Sequence, residues 1–275
     1  MSAAPGAGRP RADSTLVTVA TRVAGLVPDP VFTRLVSAGY GRFEAELARL
    51  HELVPTRPGA TLAVDVGAWY GPWTRRLAGR VDRVLALEPN PAVARVRARP
   101  TPASGRVVPA AAGDHAGRTT LWVPGTGRGS EGVAGQQQQQ GFSPIDVDLV
   151  RVDDALEEGP RPPAPGEVVL VKVDVEGFEL EVLRGAERTL TIHRPVVVVE
   201  LEHHRSDVGA AVDLLDAWGY AAQVLVDDAW LPLDAFDLAA HQARLQPVVG
   251  ERSLLQRIAR PLPRYVNNVV FRPRP

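Results

Sequence analysis

A carboxylate and two glycines near residue 65 have the spacing of a turn that binds a nucleotide cofactor. The segment 63–73, AVDVGAWYGPW, places Asp65, Gly67 and Gly71 at the end of an apolar run. Glycine allows a tight turn and lets the backbone approach a ligand closely. Glu88 ends the next apolar run, 23 positions after Asp65, close to the spacing of about 20 at which a carboxylate receives ribose hydroxyls. The pattern predicts a nucleoside-bearing cofactor.

The position of Asp65 distinguishes between the candidate cofactors. A dinucleotide fingerprint, G-x-G-x-x-G, brings backbone amides to a pyrophosphate, whereas here a carboxylate stands two residues before Gly67. A carboxylate repels a diphosphate and attracts a cation. S-adenosylmethionine has no phosphate and carries an ammonium and a sulfonium group, so we expect it rather than NAD. An NAD-dependent oxidoreductase stays open as the alternative.

The other residues expected to contact the cofactor follow the first strands of the predicted sheet, because ligands of open α/β sheets lie outside the carboxyl ends of the strands. Asp114, in the segment AAGD, is placed to bind an adenine amino group, or simply opens a turn. The full set of predicted cofactor residues is Asp65, Gly67, Ala68, Trp69, Gly71, Glu88, Pro89, Asn90, Gly113, Asp114 and Asp174.

Composition excludes several classes of protein. The 275 residues, 45% of them apolar, suffice for a packed core. A net charge of -1 gives no electrostatic case for nucleic acid, and the absence of cysteine removes disulfides and thiolate chemistry. No apolar run approaches the roughly 20 residues of a membrane span. We therefore expect a soluble, cytoplasmic protein with neither a nucleic-acid nor a membrane partner.

Short Val/Leu-rich runs alternate with helical patterns along the chain. Such runs are typical of strands buried on both faces of a parallel sheet. Apolar residues spaced as on one helix face occur between them, most clearly at Val208, Ala211, Val212, Leu215 and Trp218. The alternation predicts an α/β fold, an open sheet with right-handed crossovers, whose strands are expected at 61–67, 83–89, 106–114, 168–177 and 194–202.

One longer string resembles a known family. VKVDVEGFELEVLRGAERTL, followed by RPVVVVELE, is similar to the hallmark of FkbM-type methyltransferases, with DVGAWYG and LEPNP similar to the first two motifs of that family. The matching positions in the string are Lys172, Asp174, Glu176, Gly177, Leu183, Gly185, Ala186 and Glu200. The resemblance covers roughly residues 60 to 202, and NNVVF fits the closing strand. Trp69 departs from it, because the family usually carries Asn there.

The resemblance implies an S-adenosylmethionine-dependent O-methyltransferase with the class I, Rossmann-like fold. It implies a mostly parallel, seven-stranded sheet with helices on both faces, and a small-molecule acceptor with a hydroxyl group, such as a sugar or a natural-product scaffold. The alternative from another class is a non-catalytic binding module that keeps the fold.

The domain organisation follows from the same patterns. Residues 1–14 are expected to be disordered, and 15–58 to form a helical cap of two helices or one bent helix, acting as a cap or as the arm of a homodimer. The resemblance implies that residues 59–275 form an S-adenosylmethionine-binding methyltransferase domain. It contains an insertion at about 119–166 with two strands and the Gln136–Gln140 loop, and its tail, RYVNNVVFRP, alternates like an edge strand.

Candidate catalytic residues flank the cofactor turn in the predicted sheet. Lys172, Asp174 and Glu176 are expected to share one face of a strand, where three charges are costly unless paired or functional. An internal Lys–Asp–Glu network is the alternative. His203 and His204 follow the fifth strand, and histidine titrates near neutral pH. Alternation along the strand favours His204 as the base, although a surface or capping role for either stays open.

A metal-assisted mechanism is the alternative to a histidine base. Asp174, Glu200, Glu202 and a histidine could hold a divalent ion that polarises the acceptor hydroxyl. Because no short metal motif occurs in the sequence, we predict no metal site.

Overall fold

The structure, a computed structural model, describes residues 28, 31–34, 39–42, 44–54, 59–97, 105–124, 132–133, 142–250 and 263–275. The predicted disordered start, 1–14, and the Gln136–Gln140 loop lie outside these residues. Within the described ranges no helix combines the length and the apolar character needed to cross a membrane.

Within the described residues, the central sheet has eight strands in the order β11-β10-β12-β9-β8-β1-β2-β3. Its members from β9 to β3 are parallel, and β12 is antiparallel to both of its neighbours. The expected mostly parallel α/β sheet is thus confirmed. The strands of the chain are β1 Leu62–Val66, β2 Arg83–Leu87, β3 Gly105–Val108, β4 Ala111–Ala112, β5 Gly117–Pro124, β6 Gly132–Val133, β7 Phe142–Val150, β8 Val168–Val173, β9 Val196–Glu200, β10 Tyr220–Val226, β11 Ala229–Pro232 and β12 Asn268–Pro273.

The eighth strand comes from a tight hairpin. Asp227 and Asp228 both have positive φ, 45° and 64°, as a two-residue type I′ turn requires. The chain therefore folds back, and β11 pairs antiparallel to β10 at the edge of the sheet. Seven strands with one added hairpin strand account for the difference from the expected number.

The tail is an interior strand, so its prediction as an edge strand is wrong. β12 lies between β9 and β10 and pairs with both. Its centre, Val269 to Phe271, is buried. Three consecutive apolar residues suit a strand covered on both faces, and this signal outweighs the alternation at the ends of the segment.

The N-terminal region is more broken than its apolar spacing predicts, whereas the helix predicted from Val208 to Trp218 is present as Val208–Ala217. In place of two helices or one bent helix, the described part of the N-terminal region has a helical stretch at 31–34, two 3-10 turns, Tyr40–Arg42 and Ala45–Leu47, and one short α-helix. The α-helices are α1 Leu50–Leu53, α2 Pro72–Leu77, α3 Pro91–Arg97, α4 Val152–Glu157, α5 Glu179–Arg184, α6 Glu187–His193, α7 Val208–Ala217 and α8 Leu238–Gly250; a third 3-10 turn spans Leu233–Ala235.

A second, small sheet is built from the insertion, in the order β4-β7-β5-β6. β5 and β7 form the expected hairpin. Two boundaries differ from prediction. The run 106–114 splits between the two sheets as β3 and β4. The second strand of the insertion, expected over DVDLVRVDDAL at 146–156, ends at Val150 and is followed by helix α4.

The two faces of the central sheet are covered differently. On one face, Val64, Val171 and Val173 pack against the helices α4 to α7 in the largest hydrophobic cluster. On the other face, Ala63 and Leu170 pack against α2 and the described residues from 31 to 54, here called the N-terminal segment. Because side chains alternate along a strand, β8 contributes to both covers, and its charged residue Lys172 lies on the side of the N-terminal segment.

Candidate active site

The turn after β1, residues 67–71, is held in an unusual backbone conformation. Gly67 and Gly71 have φ values of 74° and 84°, and Trp69 has a φ of 42°. A residue other than glycine in this region stores about 1–3 kcal/mol of strain, which is typical of functional sites. The predicted glycine turn is therefore present, and its strained residue is the one that departs from the family pattern.

The amides of this turn are already used inside the protein. The amides of residues 67 and 68 donate to the carbonyl of Leu87 at 3.0 and 3.1 Å. The amide of Gly71 donates to a carbonyl within the turn at 2.8 Å. The Trp69 amide donates to Glu88 Oε2 at 2.7 Å. A pyrophosphate site needs amides that point at the ligand, and four of the five here point at protein acceptors.

Glu88 joins the loops after β1 and β2. Its carboxylate is buried and also accepts from the Asn90 amide at 2.8 Å. Asn90 Oδ1 accepts from Ala92 N at 2.9 Å, which caps helix α3. Glu88 thus lies at the strand end where it was predicted, while the Asn90 side chain serves the helix, and Pro89 between them is partly exposed.

Gly67 is glycine because the loop after β8 approaches it closely. A Cβ placed on Gly67 would lie 1.7 Å from the carbonyl oxygen of Asp174, and the Asp174 amide donates to Val66 O at 3.0 Å. The close approach that the sequence predicts for a ligand is therefore made first by the loop after β8. This contact brings the turn and Asp174 together, as predicted for the two parts of the site.

Asp65 faces into the protein. Its carboxylate is 2% exposed and accepts a hydrogen bond from the Thr74 hydroxyl of α2. It lies on the same face as Lys172, its partner in register on β8. Asp65 therefore fixes the helix that follows the turn and adds negative charge beneath it.

Lys172 is the centre of a buried charged cluster. Its side chain is inaccessible, with Nζ 3.8 Å from Asp174 Oδ2 and 5.6 Å from the centre of the Trp73 ring. Burial lowers the pKa of Lys172, but the carboxylates of Asp174, Glu44 and others outweigh it, so the pKa lies above its usual value. Lys172 is the only lysine of the chain. Because its raised pKa favours the protonated form, Lys172 is unsuited to act as a base.

Two further carboxylates complete the cluster. Glu44, from the N-terminal segment, accepts from the indole of Trp73, and burial raises its pKa to about 7 although Lys172 lowers it. Burial and the neighbouring Asp174 raise the pKa of Glu200 well above its usual value, and Asn267 donates to this carboxyl group. Sequence reasoning missed Glu44, since its partner lies 29 residues away and no local pattern marks it.

Glu176 does not continue the face of Lys172 and Asp174. β8 ends at Val173, and Glu176 has a φ of 57°, so the alternation stops before it. Its carboxylate forms an ion pair with Arg205, which also lies 3.7 Å from Glu202 Oε2. The expected three-charge face is therefore wrong at its third member. Arg205, which sequence reasoning did not select, joins the loops after β8 and β9.

The two candidate histidines have different surroundings. The amide and Nδ1 of His203 lie 2.9 and 3.1 Å from Gln242 Oε1 on α8, so this residue anchors a helix. His204 is 37% exposed, and its Nε2 lies 3.8 Å from Glu202 Oε2. Glu202 also lies beside Tyr265, and burial together with this carboxylate raises the pKa of the Tyr265 hydroxyl. A histidine next to a carboxylate has the arrangement of a base with its orienting group.

Gly113 and Asp114 belong to the contact between the small sheet and α5. A Cβ on Gly113 would lie 2.9 Å from Leu149, and one on Gly185 would lie 1.8 Å from the Gly113 carbonyl oxygen. Asp114 is exposed and lies 2.6 Å from His115 Nδ1; this hydrogen bond lowers the pKa of Asp114. This packing leaves no room for a side chain at Gly113 or Gly185. The contact of Gly185 with the Gly113 carbonyl also explains the break between α5 and α6.

Among the described residues, no group of three or more His, Cys, Asp or Glu side chains could hold the metal ion of the metal-assisted alternative. The carboxylates that were considered for it have protein partners. Asp174 lies beside Lys172, Glu200 accepts from Asn267, and Glu202 lies beside His204 and Arg205.

Comparisons with known proteins agree with the motif analysis. The model of the methyltransferase FkbM domain matches residues 64–222. Methyltransferase 1 of Beauveria bassiana is 40% identical over 90 residues, 33% of this chain and 34% of that protein, so the chain spans about a third of the length of the curated relative it matches.

Solved structures give distant similarities. Methyltransferase FkbM from Methylobacillus flagellatus is 19% identical with a TM-score of 0.41, and the match covers 78% of this chain and 56% of that one. Precorrin 8W decarboxylase from Methanobacterium thermoautotrophicum is 14% identical with a TM-score of 0.42, covering 83% and 89%.

Proposed function

Because the chain belongs to the methyltransferase FkbM domain family, we propose that it transfers the methyl group of S-adenosylmethionine to a hydroxyl group of a small molecule. The main support is the occupied amides of the turn 67–71, four of which donate to protein acceptors. A dinucleotide would find few free donors for its pyrophosphate there. A phosphate-free nucleoside cofactor does not need them.

The charges around the turn fit a cationic cofactor. The carboxylates of Asp65, Glu88 and Asp174 lie at the ends of three neighbouring strands, and the counter-charge beneath them is Lys172. Such an edge attracts the ammonium and sulfonium groups of the donor and repels a diphosphate. Glu88, at the end of β2, is the residue that would receive the ribose hydroxyls.

When bound, S-adenosylmethionine supplies an electrophilic methyl group, and the chain must place the acceptor oxygen and remove its proton. Placement alone can contribute about 7–11 kcal/mol to such a transfer. His204 is the proposed base. Its Nε2 faces Glu202, which leaves Nδ1 to take the hydroxyl proton, and a positioned base adds about 10²- to 10⁴-fold.

The acceptor is proposed to be a sugar or a natural-product scaffold, bound between the loops after β8 and β9. This class follows from the family resemblance. Arg205 and Glu176 join these two loops, so their ion pair forms one wall of the proposed acceptor site.

The test begins with binding, by equilibrium dialysis of the protein against labelled S-adenosylmethionine and labelled NAD in parallel. We expect the methyl donor to be retained and NAD to pass freely. Retention of NAD with no retention of the donor would overturn the proposal in favour of an oxidoreductase. Transfer of labelled methyl to a panel of hydroxylated acceptors then separates an enzyme from a binding module.

Two matched variants test the base. His204→Gln should retain donor binding and slow methyl transfer by about 10²-fold or more, whereas His203→Gln should affect stability more than turnover, since His203 anchors α8. Equal turnover in the wild type and His204→Gln would remove the assignment of the base.

A further inference from the structure

The N-terminal segment contributes a buried carboxylate to the charged cluster beneath the cofactor turn. Glu44 is 5% exposed and Lys172 is fully buried. Burying charged groups is costly unless they are paired, and breaking such a pair leaves an uncompensated charge. A carboxylate kept in this position by a separate part of the chain therefore calls for a physical explanation.

Glu44 reaches two groups that shape the turn. It accepts from the indole of Trp73, which is the second residue of α2, directly after the turn. It also interacts electrostatically with Lys172 and Asp174, and the Asp174 carbonyl is the atom against which Gly67 packs. Glu44 thus acts on both sides of the turn, through α2 and through the loop after β8.

Aromatic contacts reinforce the same attachment. Phe32 packs edge-on against Tyr70 and Trp69, with ring centres 4.9 and 6.3 Å apart. Tyr40 lies 6.1 Å from the Trp69 ring. The strained residue of the turn is therefore covered by side chains of the N-terminal segment.

We propose that Glu44 is a positioning residue for the methyl-donor site, and that through it the N-terminal segment is an integral part of that site. The inference rests on the proposed function. Glu44 accepts from Trp73 of α2 and attracts Lys172, and Lys172 lies beside Asp174, so the turn keeps the geometry in which the donor binds. Loss of Glu44 should loosen donor binding even though Glu44 itself does not contact the donor.

The chain contains a matched control. Glu52, also in the N-terminal segment, accepts from the Trp230 indole at 2.6 Å. This second carboxylate–indole pair attaches the segment to β11, at the far edge of the sheet from β1. Substituting Glu52 therefore weakens the attachment of the same segment without touching Lys172 or the turn.

The experiment compares Glu44→Gln, Glu44→Ala and Glu52→Ala by isothermal titration with S-adenosylmethionine, at a temperature below the melting transition of each. Glu44→Ala should raise the donor Kd about tenfold, within the range for residues that act through packed neighbours. Glu44→Gln keeps an acceptor for the indole, so its donor Kd should lie between those of the wild type and Glu44→Ala. Glu52→Ala should bind the donor as the wild type does.

A second measurement uses the single lysine. Lys172 is shielded in the wild type, so an amine-acylating reagent, followed by peptide mass spectrometry, should modify it slowly, and faster in Glu44→Ala than in Glu52→Ala. An unchanged donor Kd in a folded Glu44→Gln and Glu44→Ala would overturn this proposal alone. A wild type that binds no donor would overturn the proposed function, and the positioning role would fall with it.

Discussion

The two faces of the central sheet differ in polarity, since one is apolar and the other carries a buried charged cluster. Behind β8, Val171 and Val173 are fully buried against helices and belong to a continuous apolar cluster. On the other face, towards the N-terminal segment, Lys172 is equally buried but is surrounded by the carboxylates of Glu44, Asp174 and Glu200. One face is optimised for packing, while the other accepts the cost of buried charge. Departures from good packing are expected where function requires them, so the charged face agrees with the proposal that the adjacent turn, 67–71, binds the cofactor.

The largest effect should come from adding a side chain at Gly67. In Gly67→Ala the added Cβ would meet the Asp174 carbonyl at 1.7 Å, at a φ of 74°, and the loops after β1 and β8 would have to separate. We expect a loss of more than about 4 kcal/mol in the free energy of unfolding, measured by urea denaturation. Gly59→Ala is the control. It shares the positive φ but has open space and should lose only about 1–2 kcal/mol; equal losses would refute the role of the close contact.

Removing the buried charge should have the next largest effect. Lys172→Met leaves several carboxylates without their counter-charge, which costs about 3–5 kcal/mol when a buried pair is broken. Val173→Ala, one position along β8, creates a cavity on the apolar face and should cost about 1–3 kcal/mol. Thermal and urea unfolding measure both. If Val173→Ala were the more damaging change, the charged face would not depend on Lys172.

The pH dependence of stability should come from the charged face. The pKa of Glu44 is about 7 in the folded protein, against 4.5 as its usual value, so the folded state holds a proton that the unfolded state releases. The contribution of this proton to the free energy of unfolding is at its maximum below about pH 4.5 and is lost as the pH rises through about 7. It amounts to about 3 kcal/mol.

Urea denaturation across pH 4.5 to 8 measures this effect, with Glu44→Gln as the comparison. The neutral amide cannot titrate, so its free energy of unfolding should fall less steeply with pH than that of the wild type. Parallel curves for the two proteins would assign the slope to other buried carboxyl groups, among which Glu200 and Glu179 also have raised pKa values.

The parts of the fold that sequence could predict are those with local signals. The apolar runs of β1, β2, β8 and β9 identify buried parallel strands, since such strands need hydrophobic residues on both faces. The glycine turn and Glu88 then fall at strand ends by position alone. These features require no knowledge of which distant segments meet.

What sequence could not predict depends on long-range pairing. β12 appeared to be an edge strand because its neighbours, β9 and β10, are fixed only by the complete fold. Gly67 was predicted to face a ligand because Asp174, which approaches it, lies in a loop over 100 residues later in the chain. Glu44 lies in a segment whose helical spacing predicts only packing, and its charge acquires meaning only beside Lys172.

The two carboxylate–indole pairs give the last and smallest test of the comparison between faces. Trp73→Phe keeps an aromatic ring but removes the donor to buried Glu44, and a buried acceptor left without its partner costs about 1–3 kcal/mol. Trp230→Phe removes the equivalent donor to Glu52, where water can replace it, so its loss should be smaller. Differential scanning calorimetry of the two variants checks this order. If Trp230→Phe is at least as destabilising as Trp73→Phe, burial beside Lys172 is not what makes the first pair important, and the cost of the charged face must come from its other members, Lys172, Asp174 and Glu200.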